Sequence, residues 1–224
     1  MNRWQPRVEV QGTERERVIV IDDFACHPQQ LRDDAAFLRF TPMGEHYPGI
    51  RATVPPALLR LLLEALAPLL AETFGGRYTV ADAFYSVVTT PPDKLTTIQR
   101  LPHFDGVEPG RLALLHYLAD DAPGGTAFYR HRATGFETVD ATRLATYNAA
   151  LAADLQRSGL PPPAYCDAGS PLFEQVARYD GVFNRAIVYR SHTLHCADLP
   201  PGSRFDADPA RGRLTVNTFL TATV

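Results

Sequence analysis

A histidine and an aspartate two residues apart, His103 and Asp105, are followed far downstream by a second histidine, His195, and then by Arg213. This ordered set limits what the chain can fold into. On an extended strand residues i and i+2 point to the same side, so His103 and Asp105 can present an imidazole and a carboxylate to one point. A third donor has to come from a distant strand folded over that point, and His195 is positioned to supply it. Two imidazoles and one carboxylate on one face of an octahedron hold a metal and leave its other positions open. The segment 213–219 alternates, with Arg213, Thr215 and Asn217 on a polar side and Leu214, Val216 and Thr218 on the other.

These residues resemble the Fe(II)/2-oxoglutarate-dependent dioxygenase superfamily, in particular its prolyl-hydroxylase-like branch. The apolar run 18–21 with Asp22, Asp23 and Phe24, then His27 and Pro28, is similar to the first strand and helix start of many members. Residues 114–118, with the turn Gly124, Gly125 and Thr126, are similar to the strand and glycine turn that follow the first two ligands. The resemblance spans roughly residues 18–224. It implies that His103, Asp105 and His195 hold Fe(II) and that Arg213 pairs with the 5-carboxylate of 2-oxoglutarate in a bidentate, charge-assisted contact, assisted by Thr215. It also implies a mainly β fold with flanking helices, a double-stranded β-helix of the cupin-like jelly-roll form. The implied activity consumes O2 and 2-oxoglutarate, releases succinate and CO2, and hydroxylates an amino acid, a peptide side chain or a small metabolite. Asp105 argues against the halogenating relatives, which carry Gly or Ala there so that chloride can bind.

Other residues compete for these roles. His192 shares a short segment with His195, but the surroundings of His195 are the more similar to the family's distal histidine. His116 reads as a satisfied histidine in an apolar strand, and His131 reads equally as facing substrate or as part of a solvated turn. Arg211 precedes Gly212 and reads as a loop residue, whereas Arg213 opens the strand. Arg51 and Arg185 are further candidates for clamping a substrate carboxylate near the mouth. Two other classes suit the same residues. One is a cupin-like metalloprotein, such as a Zn hydrolase or an oxygenase independent of 2-oxoglutarate. The other is a non-catalytic jelly-roll binding protein.

At 224 residues with 45% hydrophobic composition, the chain can bury one substantial core, which suggests a single domain over 1–224. A helical and loop insertion is expected around 133–178. The net charge of −3 and pI near 6.1 leave no basic footprint for nucleic acid. Cys26, Cys166 and Cys196 cannot all pair and fit no zinc spacing, which suits a reducing cytoplasm. The first residues lack the apolar run of a signal peptide, and no stretch approaches the roughly 20 apolar residues of a membrane span. Strands are expected near 17–22, 78–88, 96–105, 111–118, 127–131, 186–190 and 213–221. Gln99 and Leu101 would share the inward parity of His103. Helices are expected at about 28–39, at 58–70 and at 141–157. The second carries the stripe Leu59, Leu62, Leu63 and Leu66 and should be kinked or divided by Pro68. The third should start after Asp140 as N-cap.

Overall fold

Alternation along the last strand builds the centre of the molecule. Leu214 and Val216 pack outward with Ala83, Tyr85 and Val87, while Phe219 packs inward with Ala113, Leu115, Tyr117, Phe128 and Tyr189. The computed structural model describes residues 4–120 and 124–223. In chain order the elements are β1 (Arg7–Gln11), β2 (Glu16–Ile21), α1 (Pro28–Ala35), β3 (Thr41–Pro42), β4 (Gly49–Thr53), α2 (Pro56–Phe74), β5 (Arg77–Val88), β6 (Arg111–Tyr117), β7 (Gly125–His131), α3 (Leu144–Ser158), β8 (Phe173–Asp180), β9 (Ala186–Arg190), β10 (His195–Asp198) and β11 (Arg213–Thr223).

An 8-stranded antiparallel sheet of order β1-β2-β9-β6-β11-β5-β4-β3 faces a 3-stranded sheet of order β10-β7-β8. This is the double-stranded β-helix that the resemblance implies. The glycine turn before β7 lets three backbones meet closely. A Cβ on Gly124 would lie 2.2 Å from the Asp198 carbonyl oxygen, and one on Gly125 would lie 1.9 Å from that of Tyr179. Larger residues would push β7 away from both of its neighbours.

The outer face of the large sheet is covered by α2. Leu66, Leu70 and Phe74 pack on Ile19, Ile21, Leu112, Leu114 and Leu220. Each fully buried leucine contributes about 1.5–3 kcal/mol, so these leucines are core. Pro68 lies inside a helix that runs on without division. The buried contacts of Leu66 and Leu70 on either side of it offset the missing hydrogen bond. Among the described residues no helix is long and apolar enough to cross a membrane.

The segment 96–105 departs from expectation. Thr96 and Gln99 bond reciprocally across a short 3-10 turn at Thr97–Arg100. That local capping outcompetes a ladder, and Pro102 has no N–H to donate to one. The helix α1 stops at Ala35 rather than near 39, and α3 starts at Leu144 rather than 141. Asp140 does accept the N–H groups of Thr142 and Arg143, but in the turn that precedes the helix. Strands β1, β3, β4, β8 and β10 have no counterpart in the sequence reading, because cross-strand pairing rather than local alternation defines them.

Candidate functional site

His103 and Asp105 lie outside any regular strand, yet the backbone still turns them to one side. His103 and His195 exchange both main-chain hydrogen bonds at 2.8 Å, and the Asp105 N–H donates to the Ser191 carbonyl at 2.7 Å. The segment 103–105 is thereby zipped alongside 191–195, extending the smaller sheet. His103 Nε2 lies 3.7 Å from Asp105 Oδ1, and His195 Nε2 lies 3.4 Å from Asp105 Oδ2. One ligand atom from each of the three residues lies within 4.8 Å of the others.

The protonation pattern suits a cation. His195 Nδ1 sits 2.9 Å from the Thr193 carbonyl oxygen, so Nδ1–H donates there and the Nε2 lone pair is turned toward Asp105. Burial, reinforced by the charges of His195, His46 and Arg51, holds His103 well below the usual imidazole range. Its neutral form is the one that binds metals. The Tyr189 ring packs 4.9 Å from that of His195, and its buried hydroxyl has no hydrogen-bond partner among the described residues.

The larger sheet supplies the opposite wall. Arg213, 7% exposed, donates from Nη2 to the Gly125 carbonyl at 2.7 Å and has no carboxylate partner among the described residues. Thr215 Oγ1 lies 2.7 Å from Asn217 Oδ1 on the same face. Burial pushes the Tyr47 phenol up to about 12, with Arg213 and Arg51 both close enough to oppose the rise.

His103, Asp105, His195, Arg213 and Thr215 all line one narrow inner cavity of about 60 Å³. His103, Asp105, Tyr47 and Arg51 also line a wider outer cleft of about 420 Å³, where Asp82, Phe84, Arg111 and Phe219 join them. Gln99 reaches the inner cavity, although its segment is a 3-10 turn and not a strand.

The competing residues lie elsewhere. His192 is buried beside Glu16, with Nε2 3.9 Å from Oε1, and takes no part in the cluster. His116 donates from Nε2 to Asn184 Oδ1 at 3.0 Å within the core. His131 is neither at a substrate face nor solvated. It is 0% exposed, with Nε2 3.0 Å from Asp154 and Nδ1 3.0 Å from Thr134 Oγ1. Arg185 pairs with Asp22 at 2.6 Å and is not at the mouth. Arg211 is tied to Asp206 at 2.8 Å on the surface.

Tyr189 and Arg111 are among the lining residues that the sequence did not single out. Parity along β6 carried a signal for Arg111, which shares the inward side of Ala113, Leu115 and Tyr117.

The fold is the one shared by Fe(II)/2-oxoglutarate dioxygenases. HygX from Streptomyces hygroscopicus, solved with iron bound, has a TM-score of 0.53 at 12% identity, covering 93% of this chain and 83% of its own. EctD from S. alaskensis with bound Fe has a TM-score of 0.50 at 13% identity, covering 97% and 84%. SnoK, a non-heme alpha ketoglutarate dependent carbocyclase from nogalamycin biosynthesis, has a TM-score of 0.50 at 13% identity, covering 92% and 80%. At such identities the likeness is one of fold. By sequence the chain belongs to a family of unknown function, DUF6445, whose profile matches residues 2–220. A search of curated proteins finds no match.

Proposed function

We propose that this protein is a non-haem Fe(II)- and 2-oxoglutarate-dependent oxygenase that hydroxylates an amino acid, a peptide side chain or a small metabolite. One observation carries the reading. A single cavity has two histidines and a carboxylate converging on one side and, on the other, a buried guanidinium with no carboxylate partner among the described residues.

The donor set fits Fe(II): two imidazoles and one carboxylate, clustered on one side, with the remaining directions facing the cavity. A closed structural zinc site would instead need a fourth protein ligand. Fe(II) held by His103, Asp105 and His195 supplies the oxygen activation that such an enzyme needs.

The chain's own groups do the rest. Thr193 fixes the His195 tautomer, so that Nε2 is delivered as a lone pair without rearrangement. Arg213 binds the 5-carboxylate of 2-oxoglutarate through its planar fork. Its contact with Gly125 already orders the side chain, which lowers the entropy lost on binding. Thr215 contributes once the Asn217 amide turns its Nδ2 toward Oγ1, which releases the threonine O–H toward the carboxylate. The neutral Tyr47 phenol is a further donor near Arg213. Tyr189 and Phe128 wall the His195 ring with aromatic surface that keeps bulk water from the cluster.

The test is oxygen-dependent succinate release by the Fe(II)-loaded protein, screened against free amino acids, peptides and small metabolites. Succinate that requires both iron and O2 is expected. Equal turnover with Zn(II), or unchanged iron binding in both His103→Ala and Asp105→Ala, overturns the reading.

A further inference from the structure

We propose that the outer cleft is the primary-substrate site and that it selects a molecule of about amino-acid size carrying a free carboxylate, held by Arg111, with Arg51 at the boundary between this cleft and the inner cavity. The inference rests on the oxygenase reading and deepens it.

The strand register separates Arg111 from the place of Arg213, whereas Arg51 lines the inner cavity as well as the cleft. Arg51 on β4 is opposite Ser86 on β5, which is opposite Thr215 on β11. Arg51 therefore stands level with Thr215 but two strands away, roughly 10 Å at the usual strand spacing. Arg111 pairs with Thr221, near the far end of β11 from Arg213. At about 3.3 Å per residue, Arg213 and Arg111 lie roughly 26 Å apart along the strand. An anion of 2-oxoglutarate size seated on Arg213 cannot reach Arg111.

Both cleft arginines are held in place by rings. The Arg51 guanidinium lies 4.0 Å from the Tyr47 ring centre and 5.4 Å from that of Phe84, and the Arg111 guanidinium lies 5.2 Å from that of Phe219. The Nε of each is buried without a hydrogen-bond partner among the described residues. Other arginines of this chain are answered: Arg130 by Glu137, Arg143 by Glu14, Arg185 by Asp22. Leaving two guanidinium donors desolvated and unmatched is unfavourable, and a planar carboxylate is the group whose geometry satisfies them. Within the cleft, Asp105 is committed to the metal cluster, and Asp82 is an exposed residue of the lining.

Phe84 and Phe219 form the apolar part of the lining, and His103 and Asp105 belong to the same wall. A substrate anchored by its carboxylate would lay its carbon chain on the rings and bring a C–H bond to the metal side. A cleft of about 420 Å³ takes a small molecule or the last residue of a peptide.

The experiment uses the full chain loaded with Zn(II) and 2-oxoglutarate, probed by ligand-observed NMR. The probes are N-acetyl amino acids as free acids, the matching amides, and tripeptides with free or amidated C-termini. Free acids should bind and amides should not. Tripeptide acids binding as well as the single residues would identify a peptide terminus as the source of the carboxylate. Arg111→Gln should weaken acid binding tenfold or more, with 2-oxoglutarate affinity and thermal midpoint preserved. Arg111→Lys should recover part of the loss. Equal binding of acids and amides, no acid binding, or parental acid binding in Arg111→Gln overturns the inference. So does loss of 2-oxoglutarate affinity in Arg111→Gln, which would place that residue with Arg213. Acid binding that depends on Arg111, without iron- and oxygen-dependent succinate release in the matching turnover assay, would leave the anion site standing and sink the oxygenase reading instead.

Discussion

Two histidine–aspartate clusters sit in the same β framework and have opposite characters. His131, Asp154 and Arg157 form a closed set. His131 Nδ1 is hydrogen-bonded to Thr134 Oγ1, and its Nε2 lies 3.0 Å from the Asp154 carboxylate, which also takes Arg157. Tyr147 and Phe173 seal the ring at 5.2 Å each. His103, Asp105 and His195 form an open set, in which His195 spends only Nδ1 on the backbone and both Nε2 atoms face a shared carboxylate beside a cavity. The residue types are almost the same. What separates them is the surroundings: the His131 ring is fully buried between Tyr147 and Phe173, whereas the His103, Asp105 and His195 side chains line a cavity, and that divides a structural histidine from one free to take a ligand.

The sharpest break in this comparison is iron affinity. Asp105→Ala or His195→Ala should abolish tight Fe(II) binding, measured after chelator stripping and anaerobic titration, while His192→Ala and His131→Ala should bind as the parent does. Retained iron in His195→Ala with loss in His192→Ala would move the third ligand. Next in size, Arg213→Ala should weaken 2-oxoglutarate by two to three orders of magnitude, since breaking one side of a buried charge pair costs roughly 3–5 kcal/mol. Arg213→Lys should recover only part of this, and Arg211→Ala should change nothing. Titration of the anaerobic Fe(II) forms decides it.

The closed cluster should show itself in stability instead. His131→Ala leaves the buried Asp154 short of a partner and should cost about 3 kcal/mol in denaturant unfolding, with no change in iron affinity. A related histidine gives a pH signature. Burial depresses His116 to about 4, against about 6.5 for a free imidazole. The unfolded chain takes up a proton near pH 6.5 that the folded chain refuses until about pH 4. Stability therefore falls as pH drops through that window, by about 3 kcal/mol at its lower end. His116→Gln should flatten the fall between pH 6.5 and 5, and an unchanged slope would remove His116 as its cause. The smallest effect is expected from Thr215→Val, about 1 kcal/mol in 2-oxoglutarate affinity, because one neutral hydrogen bond is lost.

How far the sequence could be read depended on the range of the interactions involved. Arg213, Thr215 and Asn217 were legible as one face because alternation is a property of a single strand, and β11 is the strand on which both β5 and β6 pair. The α2 leucines were legible as core for the same local reason. The expected strand at 96–105 failed where a short-range competitor, the Thr96–Gln99 cap, prevailed. His131 was ambiguous because its partner Asp154 comes from α3, and no local pattern announces that meeting.

By itself the sequence determined the donor types, their order and the polar face of the closing strand, since these depend on residue identity and on a period of two. Tertiary structure alone decided that His195 rather than His192 meets Asp105, and that Arg185 is tied to Asp22 while Arg51 Nε has no hydrogen-bond partner among the described residues. It alone set Arg111 at the opposite end of the barrel from Arg213. Each of these outcomes is settled by register between strands distant in the chain, where shifting one strand by a single residue would turn every side chain to the other face.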